Sequence, residues 1–151
     1  MCIRDSIGTS ASDIDQVAKV MCRYSGPRMK SVLVVCEQGV DAIALVAAAG
    51  RGVGVEVSAF EGSVQLKDSR NRLLTAFEDD EDGRDWLPGG LSRFRNNGLE
   101  APRAFVIECR WEDLLCRVLR FAAQNTPNLF VVDVDGAVHV ASDLDEATIS
   151  L

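Results

Sequence analysis

The sequence predicts a single α+β domain, with a mixed, mostly antiparallel sheet of about five to seven strands and two or three helices packed on one face. Its length of 151 residues and apolar share of 47% suit one globular domain. Short alternating segments separated by turn residues predict antiparallel strands. Between them lie an alanine-rich segment and an amphipathic segment, each with helical character.

The first half of this domain reads as a strand, a helix and a three-stranded meander. The apolar segment SVLVVC (31–36) predicts a buried strand. DAIALVAAAGRG (41–52) is favoured as a helix capped by Asp41, although its continuous apolar run is also compatible with a strand. Three short segments then follow at turn-length intervals and predict antiparallel strands: 53–60, 63–68 and 72–77.

The last third is the clearest part of the pattern. AFVIEC (104–109) predicts a strand, and WEDLLCRVLRFAAQN (111–125) predicts an amphipathic helix with acidic residues in its first turn. Segments 129–134 and 137–142 predict two strands joined at Asp135-Gly136, a common hairpin turn. The strand-helix-strand unit predicts two parallel strands with a right-handed crossover.

The N-terminal residues are interpreted differently. The codons required by residues 1–6 resemble the mosaic-end sequence of transposon adapters, so we interpret these residues as translated sequencing adapter with no packed role. Residues 7–28 are then an N-terminal helical segment, with a helix over 10–24, or a translated leader before Met29. The α+β domain is expected to span 29–151. On this interpretation we expect a bacterial metagenomic fragment in which either upstream residues are missing or Met29 is the true start.

The net charge indicates which classes of partner to expect, and the positions of the cysteines indicate the cellular compartment. The formal net charge is −7, which disfavours nucleic acids and anionic membranes and favours a basic protein partner. The sequence contains no apolar window of about 18 residues, so we predict no membrane span. Cys36 and Cys116 lie inside apolar segments and are expected to be buried thiols, a usage typical of the reducing cytoplasm.

The segment LFVVDVDGAV (129–138) has two aspartates after an apolar run, a pattern that also occurs in catalytic sites. It resembles motif I of the haloacid dehalogenase-like hydrolases, in which an apolar strand precedes D-x-D-G-T. The resemblance implies Asp133 as nucleophile and Asp135 as general acid or base, with Mg²⁺ nearby. It covers ten residues, has Ala137 in place of threonine, and comes near the end of the chain, whereas the family motif opens the fold. We therefore favour a hairpin turn at this position.

Other patterns predict neither a metal site nor a cofactor. The acidic loop 78–85 lacks the twelfth-position glutamate of an EF-hand, where Gly89 stands instead. The glycine-rich turn 50–54 precedes a strand, whereas a dinucleotide-binding turn precedes a helix. His139 is the only histidine, and the spacing nominates no nucleophile beside it. We expect no catalytic residue, no metal and no cofactor.

A loose cluster of basic and aromatic residues is the best predicted binding surface. It comprises Trp86, Arg93, Phe94 and Arg95, with Trp111 as a further candidate for an interface hot spot. We therefore predict a small cytoplasmic, non-enzymatic binding protein of adaptor, inhibitor or immunity type. The alternative is a small-ligand or nucleotide-binding domain, followed by the metal-dependent phosphohydrolase. The sequence leaves the oligomeric state open.

Overall fold

The fold is built on one antiparallel sheet. The computed structural model describes residues 30–79, 87 and 89–151. Its strands are β1 (Ser31–Glu37), β2 (Glu56–Phe60), β3 (Ser63–Lys67), β4 (Leu73–Glu78), β5 (Pro102–Cys109), β6 (Phe130–Val132) and β7 (Val138–Val140). Its α-helices in this part of the chain are α1 (Ala42–Gly52) and α2 (Glu112–Asn125), with 3-10 helices at Ser92–Asn97 and Ala141–Asp143. The strand order is β2-β3-β4-β5-β1-β6-β7, and every neighbouring pair is antiparallel.

Both α-helices pack on the same face of this sheet, which confirms the predicted α+β class. Alternation along β1 directs Val32, Val34 and Cys36 towards this face, where the apolar stripe of α2 covers them. The segment that was compatible with helix or strand is helical. The side chain of Asp41 caps α1 by accepting a hydrogen bond of 3.1 Å from the N–H of Ala44.

The opposite face of the sheet is divided into two halves. Over β5, β1 and β6, a second apolar cluster forms where Leu87, Leu91, Phe94 and Leu99 cover the strand side chains. The carboxylate of Glu37 fixes the end of this segment, because it accepts the N–H groups of Glu100 and Ala101 at 2.9 and 2.8 Å. Over β3, β4 and the end of β5 the same face carries polar side chains and an open cleft.

The two strands joined by α2 are parallel, as predicted. β5 and β6 each pair antiparallel with β1, so they run parallel to one another with β1 between them. No helix in the described ranges is long and apolar enough to cross a bilayer. The predicted helix over 10–24 and the interpretations of residues 1–6 and 7–28 lie outside the described residues.

Candidate functional site

A cleft of about 370 Å³ lies on the polar half of the second sheet face. A row of polar side chains crosses this half of the sheet. The register pairs Gln65 with Thr75, Thr75 with Glu108, and Glu108 with Ser31, so the four residues face the same side on adjacent strands. The residues lining the cleft are Lys30, Gln65, Asn71, Arg72, Leu73, Thr75, Glu108, Cys109, Arg110 and Trp111.

Much of the hydrogen-bonding capacity of this row is unused. Among the described residues, the one hydrogen bond between side chains of the row is long, with 3.5 Å between Gln65 Nε2 and Thr75 Oγ1. Ser31 Oγ is buried without a hydrogen-bond partner among the described residues. Within the same ranges, the carboxylate of Glu108 has neither an ion pair nor a hydrogen bond, and its burial raises its pKa. The row therefore offers donors and acceptors to a molecule that enters the cleft.

Two apolar side chains complete the lining. Leu73 is 43% exposed and Trp111 is 38% exposed. Only Phe60 and Val140 join them as exposed large apolar side chains in the part of the chain that the structure describes, and these lie on the edge strands β2 and β7. The cleft thus combines apolar anchors with unsatisfied polar groups.

Arg72 is paired with two carboxylates and lies over the Trp111 ring. Its Nε donates to Asp68 at 2.7 Å, and its Nη1 and Nη2 donate to the two carboxylate oxygens of Asp113 at 2.9 and 3.0 Å. The guanidinium lies 5.4 Å from the centroid of the Trp111 ring. These bonds raise the pKa of Arg72 and lower the pKa of Asp113. They also tie the turn between β3 and β4 to the first turn of α2.

The Asp133 carboxylate is a structural group that organises the C-terminal hairpin. It is 2% exposed and accepts N–H groups from Asp135 and Ala137 at 3.0 Å and from Ser150 at 3.2 Å. His139 Nε2 lies 2.8 Å from its Oδ2. Burial alone raises the pKa of Asp133, but the bonds from His139 and the backbone outweigh it and lower the pKa.

This geometry supports the hairpin interpretation of LFVVDVDGAV. Gly136 has φ of 84° and donates to the carbonyl of Asp133, while Asp133 N–H donates to the carbonyl of Ala137. Both carboxylate oxygens of Asp133 are already engaged by donors from this chain. A nucleophile must have a lone pair directed at its substrate, and Asp133 offers none in this arrangement.

The predicted binding residues lie in different surroundings. Trp111 lines the cleft, whereas Arg93 and Arg95 are exposed on the 3-10 helix that covers the other half of this face. Phe94 is 1% exposed, and its ring packs 5.5 Å from that of Phe130, so it belongs to the second apolar cluster. Trp86 lies outside the described residues.

Sequence reasoning missed Leu73, Gln65, Thr75 and Glu108. Alternation in 63–67 does indicate that Gln65 faces away from Val64 and Leu66. Nothing local, however, indicates that Glu108 would stand beside Thr75, because β4 and β5 are separated by more than twenty residues of intervening chain.

The cysteines and the acidic residues provide no further chemical centre in the described ranges. Cys36, Cys109 and Cys116 are buried, as predicted for Cys36 and Cys116. Burial raises the pKa of Cys109 and of Cys116 to about 11, so both remain protonated and unreactive at neutral pH. Within those ranges no group of three His, Cys, Asp or Glu residues could hold a metal ion. Comparison of the chain with protein-family models, with curated proteins and with solved structures found no match.

Proposed function

We propose that this protein is a small, non-enzymatic binding domain of adaptor, inhibitor or immunity type that docks a protein partner through the cleft. The observation that carries the proposal is the exposure of Leu73 and Trp111 in one cavity, at 43% and 38%. Tryptophan is among the residues that most often dominate binding energy at protein interfaces. The contact with Arg72 holds the indole in place before binding, which lowers the entropy lost on association.

Two further features support the partner and compartment in this proposal. The net charge of −7 favours a basic protein over a nucleic acid, because phosphates and the chain repel each other at long range. Cys36, Cys109 and Cys116 are buried thiols, a usage that suits the reducing cytoplasm.

Affinity capture from the host cytoplasm tests this function. Immobilised wild-type protein is compared with Trp111→Ala and Leu73→Ser. The matched controls are Phe60→Ser and Val140→Ser, which remove exposed apolar side chains from the edge strands. We expect the same partner to be retained by the controls and lost by the cleft variants, with affinity for the purified partner falling roughly tenfold or more. Retention by the cleft variants, or loss in the edge-strand controls alone, contradicts the proposal.

Small-ligand binding is a second candidate, because a volume of about 370 Å³ lies within the range of small-molecule sites. The site in that case is the cleft and not the glycine-rich turn 50–54. A Cβ on Gly50 would lie 2.5 Å from Leu66 Cδ2, and one on Gly52 would lie 2.2 Å from Phe121 Cζ, so that turn packs against protein. A thermal-shift screen against nucleotides and metal ions tests this candidate, since a ligand specific for the folded state must raise the unfolding temperature.

A further inference from the structure

Glu108 is the one carboxylate among the described residues that line the cleft. Its carboxylate stands on β5 between Thr75 and Ser31 in the polar row, half-buried and without an ion pair or hydrogen bond among the described residues. We propose that the partner inserts a lysine or arginine side chain into the cleft and pairs the charged end of that side chain with Glu108. This inference rests on the proposed function as a protein-binding domain.

The partner should be positively charged at this site, because Glu108 has lost more of its contact with water than the basic groups that line the cleft. Three basic residues also line the cleft: Lys30, Arg72 and Arg110. Arg72 is paired with Asp68 and Asp113, and Arg110 is exposed. Lys30 is half-buried like Glu108, but its side chain is long and flexible, so its charged end reaches water more readily. Glu108 has a shorter side chain on a strand inside the sheet, and burial has removed part of its hydration. A cation restores that lost interaction, whereas an anion would be repelled.

The rest of the lining suits a long basic side chain. Leu73 and Trp111 present apolar surface to its methylene groups, which basic side chains commonly bury while keeping their charge satisfied. Thr75 and Ser31 have oxygen acceptors on the two strands beside Glu108, and Gln65 follows Thr75 in the same row. An arginine guanidinium has five N–H donors for such acceptors. The net charge of −7 adds long-range attraction for a basic partner.

The test is a titration of the ¹⁵N-labelled full chain with three small probes at constant ionic strength. Nα-acetyl-arginine amide and Nα-acetyl-lysine amide carry the proposed charges, and Nα-acetyl-citrulline amide keeps the shape of arginine without its charge. We expect both cationic probes to shift the amide resonances of Thr75 and Glu108. We expect Glu108→Gln to lower their affinity roughly tenfold, to the level of the citrulline probe, as for loss of one charge-assisted hydrogen bond.

A pH series gives a second readout. Ionised Glu108 is the form that pairs with a cation, so affinity for the arginine probe should rise with pH through the carboxyl titration range. The other charged groups that line the cleft are Lys30, Arg72 and Arg110. The pH dependence should disappear in Glu108→Gln. This variant removes no side-chain hydrogen bond or ion pair of the described structure, and its amide spectrum verifies that the fold is kept.

Three results would overturn the inference. The first is equal binding of the citrulline and arginine probes, and the second is unchanged affinity in Glu108→Gln. The third is binding of acetate or phosphate that is lost in Arg110→Gln, which would assign the cleft to an anion. Binding of the captured partner to the two variants distinguishes the proposed function from the proposed pairing with Glu108. If Trp111→Ala releases it and Glu108→Gln does not, this inference fails while the proposed function stands.

Discussion

Replacing Asp133 with asparagine tests the structural role assigned to this carboxylate. Asparagine has the same shape, but one of its two terminal groups donates hydrogen bonds. If its oxygen keeps the N–H groups of Asp135 and Ala137, its NH₂ group faces the N–H of Ser150 and the ring nitrogen of His139. The variant therefore loses a charge-assisted bond and leaves a buried donor unsatisfied.

The expected cost follows from counting these bonds. Loss of the charge-assisted bond from the Ser150 N–H, with a buried donor left unsatisfied, corresponds to about 2–3 kcal/mol of unfolding free energy. Removal of all four acceptor contacts in Asp133→Ala corresponds to about 3–5 kcal/mol. The pKa of Asp133 is lower in the folded state, so its stabilisation is present above the unfolded pKa of about 4 and is lost as pH falls through the folded pKa. The difference between wild type and Asp133→Asn should therefore shrink in acid.

Urea unfolding followed by circular dichroism at pH 7 and at pH 3 measures both quantities. Asp135→Asn is the matched control, because this neighbouring side chain is exposed and makes no hydrogen bond or ion pair in the described structure. The stability of this variant should stay within about 0.5 kcal/mol of wild type. The reasoning is refuted if Asp133→Asn is as stable as the control at pH 7. A large difference that persists unchanged at pH 3 would refute the assignment to the ionised carboxylate.

Three other substitutions test packing, the anchoring of Trp111 and the cleft. Gly50→Ala should lower the unfolding free energy by about 1–3 kcal/mol, because the new Cβ meets Leu66 at 2.5 Å and Leu66 is buried in the core. Arg72→Lys should cost about 1–2 kcal/mol, since lysine cannot form the bidentate bond with Asp113. Glu108→Gln should be as stable as wild type or more stable at pH 7. The pKa of Glu108 is raised in the folded state, so its ionisation opposes folding as pH rises.

The same urea titrations include matched controls. Gly39→Ala has open space around the new Cβ and should be nearly neutral, and so should Arg70→Lys at an exposed turn position. Equal stability of Gly50→Ala and Gly39→Ala would contradict the close packing of α1 on β3. Equal effects of Arg72→Lys and Arg70→Lys would contradict the stabilising role of the bidentate bond between Arg72 and Asp113. Marked destabilisation by Glu108→Gln would show that the Glu108 carboxylate already has a partner in the free protein.

Local pattern was sufficient for most of the individual elements. Alternation placed Val64 and Leu66 opposite Gln65, and the amphipathic stripe of 111–125 defined both the helix and its buried side. The Asp135-Gly136 pair predicted the turn between β6 and β7, where Gly136 adopts φ of 84°. These features depend on residues that are close together in the sequence, so they can be predicted from the sequence alone.

The surroundings of Phe94 could not be predicted in this way. The residues around it are rich in Gly, Pro and Asn, which locally indicate an exposed loop. Phe94 is nevertheless buried, because the segment folds back and covers Leu33 and Val35 on β1. Burial of an apolar ring against a distant strand outweighs the local preference for exposure.

The sequence by itself determined the α+β class, the elements of the last third and the buried positions of Cys36 and Cys116. Only the tertiary structure decided that β1 lies between β5 and β6, and that Glu108, Trp111 and Leu73 line one cleft. Strand order and shared cavities depend on pairing between segments far apart in the chain, and its free energy comes from side chains that local periodicity does not bring together.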